Sequence, residues 1–141
     1  MAAGEWLFPS ASKPSLLDGT FIFGVTSWRM SLHTSDSNIG PSATLFSDVT
    51  GELLEENGYT SGGKSIEFTL SGSNVVTANL ANDPVWNVVD ESLVARYAVI
   101  YAVDGNVLCY CLLDDTPDDV TVLPGNTLTV AASVDGIFTL S

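Results

Sequence analysis

The sequence predicts an all-β protein: an antiparallel β-sandwich, jelly-roll-like or Ig-like, with one short helix near residues 48–57 and an extended N-terminal arm. Two patterns carry this expectation. Short apolar runs recur at close spacing, separated by Gly, Asp and Pro, the punctuation of sandwiches and barrels. Within the runs, apolar and polar residues alternate with period two, as a strand with one dry face requires. The length of 141 residues fits one domain, large enough to bury a core without disulfide staples. The expected division is an arm over 1–19 and a single β-domain over 20–141.

Residues 1–19 hold Pro9 and Pro14, which disfavour a long helix. Trp6, Leu7 and Phe8 are apolar and isolated there, so the arm either docks on another molecule or tucks against its own domain. Residues 20–34 read as one long strand or two: Phe21, Phe23 and Val25 share one face, Trp28, Met30 and Leu32 another, with a bend or bulge at Thr26-Ser27. Residues 35–42 are loop by composition. Over 47–63, Ser47 or Asp48 can cap a helix carried by Glu52 to Glu56 and ended at Asn57-Gly58, with Gly51 counting against it.

Residues 64–70 are a half-buried strand, with Ile66, Phe68 and Leu70 alternating against Ser65, Glu67 and Thr69. Residues 74–81 form a short strand, and 82–86 turn to deliver Trp86 to surface or core. Residues 92–113 read as two strands around Asp104-Gly105, and neither face looks wet. Residues 114–120 are an acidic loop, and 127–133 and 136–140 close the chain as strands. The dry hairpin requires two covers: its own second sheet on one side, a neighbouring molecule or the short helix on the other.

Formal net charge is −13, from 17 acids against only four bases, Lys13, Arg29, Lys64 and Arg96. Nucleic-acid binding needs clustered Lys and Arg, and adhesion to an anionic membrane needs the same, so neither partner is expected. No run reaches the roughly 18 apolar residues of a membrane span, and the start lacks a charged-then-apolar leader. Cys109 and Cys111 share one face of a strand, with Cα atoms about 7 Å apart, too far for an easy disulfide. They read as small buried hydrophobes.

His33 is the one histidine and has no companion at metal-ligand spacing. Serines and aspartates are plentiful enough for a Ser-His-Asp arrangement, yet no nucleophile elbow is present. Asp114, Asp115, Asp118 and Asp119 carry enough carboxylate for Ca²⁺ but lack the spacing of a defined coordination loop, and a solvated loop is the simpler reading. No cofactor, metal site or catalytic residue is expected. Arg96 opens an otherwise apolar stretch, so it must pair or reach solvent, and it is expected to be held by a carboxylate or by several backbone carbonyls as a structural clamp. Exposed Trp28, Trp86 and Tyr59 would make a stacking platform for sugar rings.

The order "LLDGTFIF…SWRMSLHTSDSNI", "FSDVTGELLEENGYTSGG", "PVWNVVDESLVARYAVIY" and "GIFTL" resembles a family of small virion proteins of tailed bacteriophages. The resemblance covers residues 16–141. It is carried mainly by Gly58, Tyr59, Thr60, Gly62, Gly63, Trp86 and the strand Ala95 to Tyr101. It implies a non-enzymatic structural component of the virion, assembled in the host cytoplasm. The expected role is capsid decoration, with neck, tail or fibre-base location, or a carbohydrate-binding module, as alternatives. The implied partners are copies of itself, a trimer being the expected assembly, and the major capsid protein or other virion proteins. The residues expected to carry core or interface are Trp6, Phe8, Trp86, Arg96, Tyr97, Tyr101 and Tyr110, with the arm as the candidate anchor.

Overall fold

A computed structural model of the chain describes residues 3–103, 105–133 and 135–140. The described residues form one α-turn, α1 (Ser12–Ser15), and eleven strands: β1 (Trp28–His33), β2 (Lys64–Ile66), β3 (Phe68–Ser71), β4 (Val76–Leu80), β5 (Val85–Asn87), β6 (Leu93–Ala95), β7 (Tyr97–Ala102), β8 (Val107–Leu112), β9 (Val120–Val122), β10 (Thr127–Thr129) and β11 (Phe138–Leu140). All pairings are antiparallel. The main sheet has the order β2-β1-β7-β8, and three smaller sheets, β11-β4-β3, β6-β9 and β5-β10, complete a sandwich-like all-β fold.

The central hairpin β7–β8 is buried on both faces because two different covers lie on it. Ala98, Ile100, Ala102, Leu108, Cys109 and Cys111 point into the main core with Trp28, Met30, Leu32 and Trp86. Val99, Tyr101, Val107 and Tyr110 form a second cluster with Ile39, Ala43, Phe46 and Val49. Strict alternation would separate Val107 from Tyr110. A bulge permits their shared face: Ile100 pairs with Cys109 but Tyr101 with Val107, so Leu108 is the extra residue and the face inverts across it. The Asp104 half of the expected turn lies outside the described residues.

The second cover is a strap, residues 35–51 of the same chain, so no neighbouring molecule is needed to dry this face. It is pinned by backbone hydrogen bonds at both ends: Phe46 N–H to Gly105 O and Val107 N–H to Thr44 O at one, Thr34 N–H to Gly51 O and Leu53 N–H to Leu32 O at the other. Phe46 stacks on Tyr101 with ring centroids 3.5 Å apart and planes within 6°. The helix expected over 48–57 does not form. One 3-10 turn, Phe46–Asp48, is followed by extended chain. The reason is Gly51, at φ +78° and packed on Ser37, where an added Cβ would lie 2.8 Å from the Ser37 backbone. An α-helix excludes that φ, and the strap uses it to turn back toward β1.

Three other expectations are corrected. Residues 20–27 are not strand: they make a turn in which Val25 and Thr26 N–H reach Ile22 O and Thr26 Oγ1 accepts Ile22 N–H. The 92–103 strand breaks at Arg96, β6 joining β9 and β7 joining β1 and β8. Residues 120–122 and 85–87 are strands that sequence reading left in loop and turn. The arm folds back on its own domain: Gly4 N–H bonds Leu112 O, and Leu7 exchanges both backbone hydrogen bonds with Tyr110. It therefore covers the β8 edge, a surface that would otherwise invite strand addition.

Cys109 and Cys111 are buried free thiols. Burial pushes Cys111 up to about 12 and Cys109 well above its ordinary value, which suppresses the reactive thiolate. In native buffer a thiol reagent is expected to find neither sulfur, and both should titrate at once in denaturant. Fast labelling of the native protein would show that the β8 face opens.

Candidate functional site

The densest polar constellation lies where β1, β7 and the 52–63 segment meet. Glu52 is its centre. One carboxylate oxygen, Oε2, accepts the Tyr59 hydroxyl at 2.6 Å and the Gly62 N–H at 2.6 Å. Tyr59 Oη in turn accepts Leu32 N–H at 3.2 Å, and Tyr101 donates to Gly62 O at 2.6 Å. These bonds tie two strands of the main sheet to one loop. Burial and the neighbouring Glu52 carboxylate raise the Tyr59 phenol above its ordinary value, so it remains a neutral donor.

The glycines of this loop are required by close packing. Gly58, at φ +94°, sits where a Cβ would overlap Asn87 O, and Gly63, at φ +81°, where one would overlap Met30 O. Gly58, Tyr59, Gly62 and Gly63 therefore act as a clamp between the main sheet and β5, and their chemistry is structural.

A second buried pair lies on the strap side of β1. His33 Nδ1 is 3.0 Å from Thr50 O, which fixes it as the donor nitrogen. Nε2 is then the acceptor, and Ser31 Oγ donates to it at 2.9 Å. The geometry resembles a nucleophile and base. However, Ser31 and His33 are both 0% exposed, so no solute reaches the hydroxyl. Its role is to satisfy polar atoms beneath the strap.

Arg96 has the expected carboxylate partner: its Nε donates to Asp119 Oδ1 at 2.8 Å. The side chains are 26% and 41% exposed, so the pair is worth about 0.5–1 kcal/mol, less than a buried pair would be. Asp114 accepts the Thr116 N–H and hydroxyl in a local turn. Among the described residues no group of three or more His, Cys, Asp or Glu is arranged to hold a metal ion.

The stacking platform is not formed. Trp28, Trp86 and Tyr59 are 3%, 0% and 3% exposed, and Trp86 is core rather than interface. Trp6 and Phe8 are half-buried against the same core, Phe8 meeting Phe138 edge-on at 5.2 Å. Tyr97 packs on the strap-side cluster beside Tyr110 and Tyr101. By sequence, His33 is weighed alone and set aside; it is not paired with Ser31, and Glu52 is not singled out as a site. The alternation of Arg29, Ser31 and His33 against Trp28, Met30 and Leu32 was the available signal.

Comparison of the chain with known protein families, curated proteins and solved structures finds no match.

Two outcomes follow. Tyr59→Phe leaves Leu32 N–H and Glu52 short of a buried partner and should cost about 1–3 kcal/mol, read as a lower urea midpoint at unchanged slope. For His33, burial lowers the folded pKa below the ordinary value, against the Thr50 carbonyl and Glu52. The unfolded chain then binds the proton first. The stability this confers is full above about pH 6.5 and is lost as pH falls toward the folded value. The difference between wild type and His33→Gln in urea midpoint should therefore shrink with acidification, and a constant difference would contradict it.

Proposed function

We propose that this chain is a non-catalytic structural component of a tailed-phage virion, acting as a capsid decoration protein through protein–protein contacts. The observation that carries the proposal is what the resembling residues do. Gly58, Tyr59, Gly62 and Gly63 form the loop clamp, Tyr101 bonds to it, and Ala95 to Tyr101 run through the centre of the fold. A sequence pattern made of framework residues fits a family selected for a shape. The Ser31–His33 pair is buried, and Arg96 and Asp114 are held in local pairs.

The double burial of β7–β8 adds no support for a lattice contact, since the strap explains it. The carbohydrate-binding alternative loses the three aromatic residues it relied on. Quantitative mass spectrometry of purified particles of the virus encoding this chain tests the proposal. Hundreds of copies per particle are expected for decoration. A copy number near a dozen would move it to the neck or tail, and absence from the particle would overturn it.

A further inference from the structure

We propose that the open end of the sandwich, between α1 and the β3-β4-β11 sheet, is the surface on which a second copy of this chain docks. The inference deepens the structural reading above by naming where self-contact occurs. It is tested in solution, independently of whether the chain is found on particles.

The surface follows from register. Leu70 pairs with Ala78, which pairs with Phe138, and Val76 pairs with Leu140, so these side chains share one face of the small sheet. Ala78 is buried, and Phe138 packs against the main core. Leu70 and Leu140 lie beyond it and are 55% and 65% exposed. Across from them the arm supplies Phe8 and Leu16, and the chain leaving α1 supplies Leu17, 86% exposed. The result is an apolar groove of about 450 Å³. Clustered exposed leucines of this kind mark contact surfaces.

Charge selects the occupant. The chain carries 17 acids and four bases, so most faces of two copies would bring carboxylates together. No Asp or Glu is among the groove-lining residues, and one of the scarce bases, Lys13, is. The nearest acid in sequence is Asp18, immediately after Leu17; its Oδ1 accepts Thr20 N–H in an exposed local turn. Lys13 and Asp18 thus flank the most exposed leucine on one short segment. A twofold pair can set Leu17 of each copy over the groove of the other and Asp18 against Lys13, the reciprocal pattern an isologous contact requires. The remaining −13 repels at long range but is screened beyond about 8 Å at physiological salt.

Sedimentation velocity of the full chain, from micromolar to millimolar protein, reads this directly. Self-association is expected, strengthened by added salt. Leu17→Glu and Leu140→Glu, both at exposed positions, should each weaken it by roughly tenfold or more while circular dichroism stays unchanged. Lys13→Asp should weaken it, and Lys13→Asp combined with Asp18→Lys should restore it. A monomer across the whole range overturns the proposal, as does an oligomer of any order that survives both leucine substitutions. Failure of the charge swap to rescue overturns the twofold pairing. A monomer that instead binds dodecanoate by calorimetry, with loss in Leu17→Glu, assigns the groove to an aliphatic ligand and overturns it as well.

Discussion

Burying both faces of the β7–β8 hairpin is the constraint from which the rest of the architecture follows. A strand pair dry on both sides has no solvated face to carry its polar neighbours, so each cover must satisfy what it encloses. On the sandwich side Ala98, Ile100, Cys109 and Cys111 pack in the main apolar core with Trp28, Met30, Leu32 and Trp86. The strap side is harder. β1 presents Ser31 and His33 to it, and the strap answers with the Thr50 carbonyl while Phe46 closes over Tyr101. The bulge at Leu108 makes this possible by moving Tyr110 onto the face of Val107 and Tyr101.

Glu52 stands at the end of that strap and passes its constraint to the next loop. Its backbone pairs with His33 while its side chain holds Tyr59 and Gly62. Hydrogen bonds to a charged acceptor are the stronger kind; here they close the 52–62 loop on itself, and Tyr59 and Gly62 then tie that loop to the distant Leu32 and Tyr101. Tyr101 belongs to both systems, stacked on Phe46 and bonded to Gly62 O. The strap and the glycine clamp are therefore coupled through one side chain. Loosening either should loosen the other.

Much of the β-architecture was legible because period-two alternation is a direct consequence of strand geometry: residues 28–33 and 76–80 are strands, whereas the alternating 64–70 run breaks at Glu67 into β2 and β3, which join different sheets. The failures have local causes. Residues 48–57 have helix-forming composition, but Gly51 and Asn57 at positive φ follow from what the strap must turn around, which lies outside the segment itself. Reading that segment as helix makes Glu52 one of its helix-forming residues and hides the hub. Val120–Val122 was masked by the aspartates before it, and is a strand because β6 offers it an edge. Trp28, Trp86 and Tyr59 illustrate a further limit: an aromatic residue carries the same letter in a core as on a binding platform, and only the tertiary fold separates the two.

The residues that define the sequence pattern and the residues that would define contact are different sets. Gly58, Tyr59, Gly63 and the β7 strand are buried or tightly packed and hold the shape. The exposed leucines at 17, 70 and 140 lie outside those framework positions, at a groove lined by Lys13 and by no Asp or Glu. A fold maintained by an interior framework leaves such a rim free to change partners without cost to the core. On the proposed reading, location in an assembly is encoded at the open end of the sandwich, where the arm, α1 and the final strand converge. The arm's contribution to attachment would accordingly come through the groove wall it builds while docked on β8, because releasing it to reach a neighbour would expose the β8 edge and remove Trp6 and Phe8 from the core.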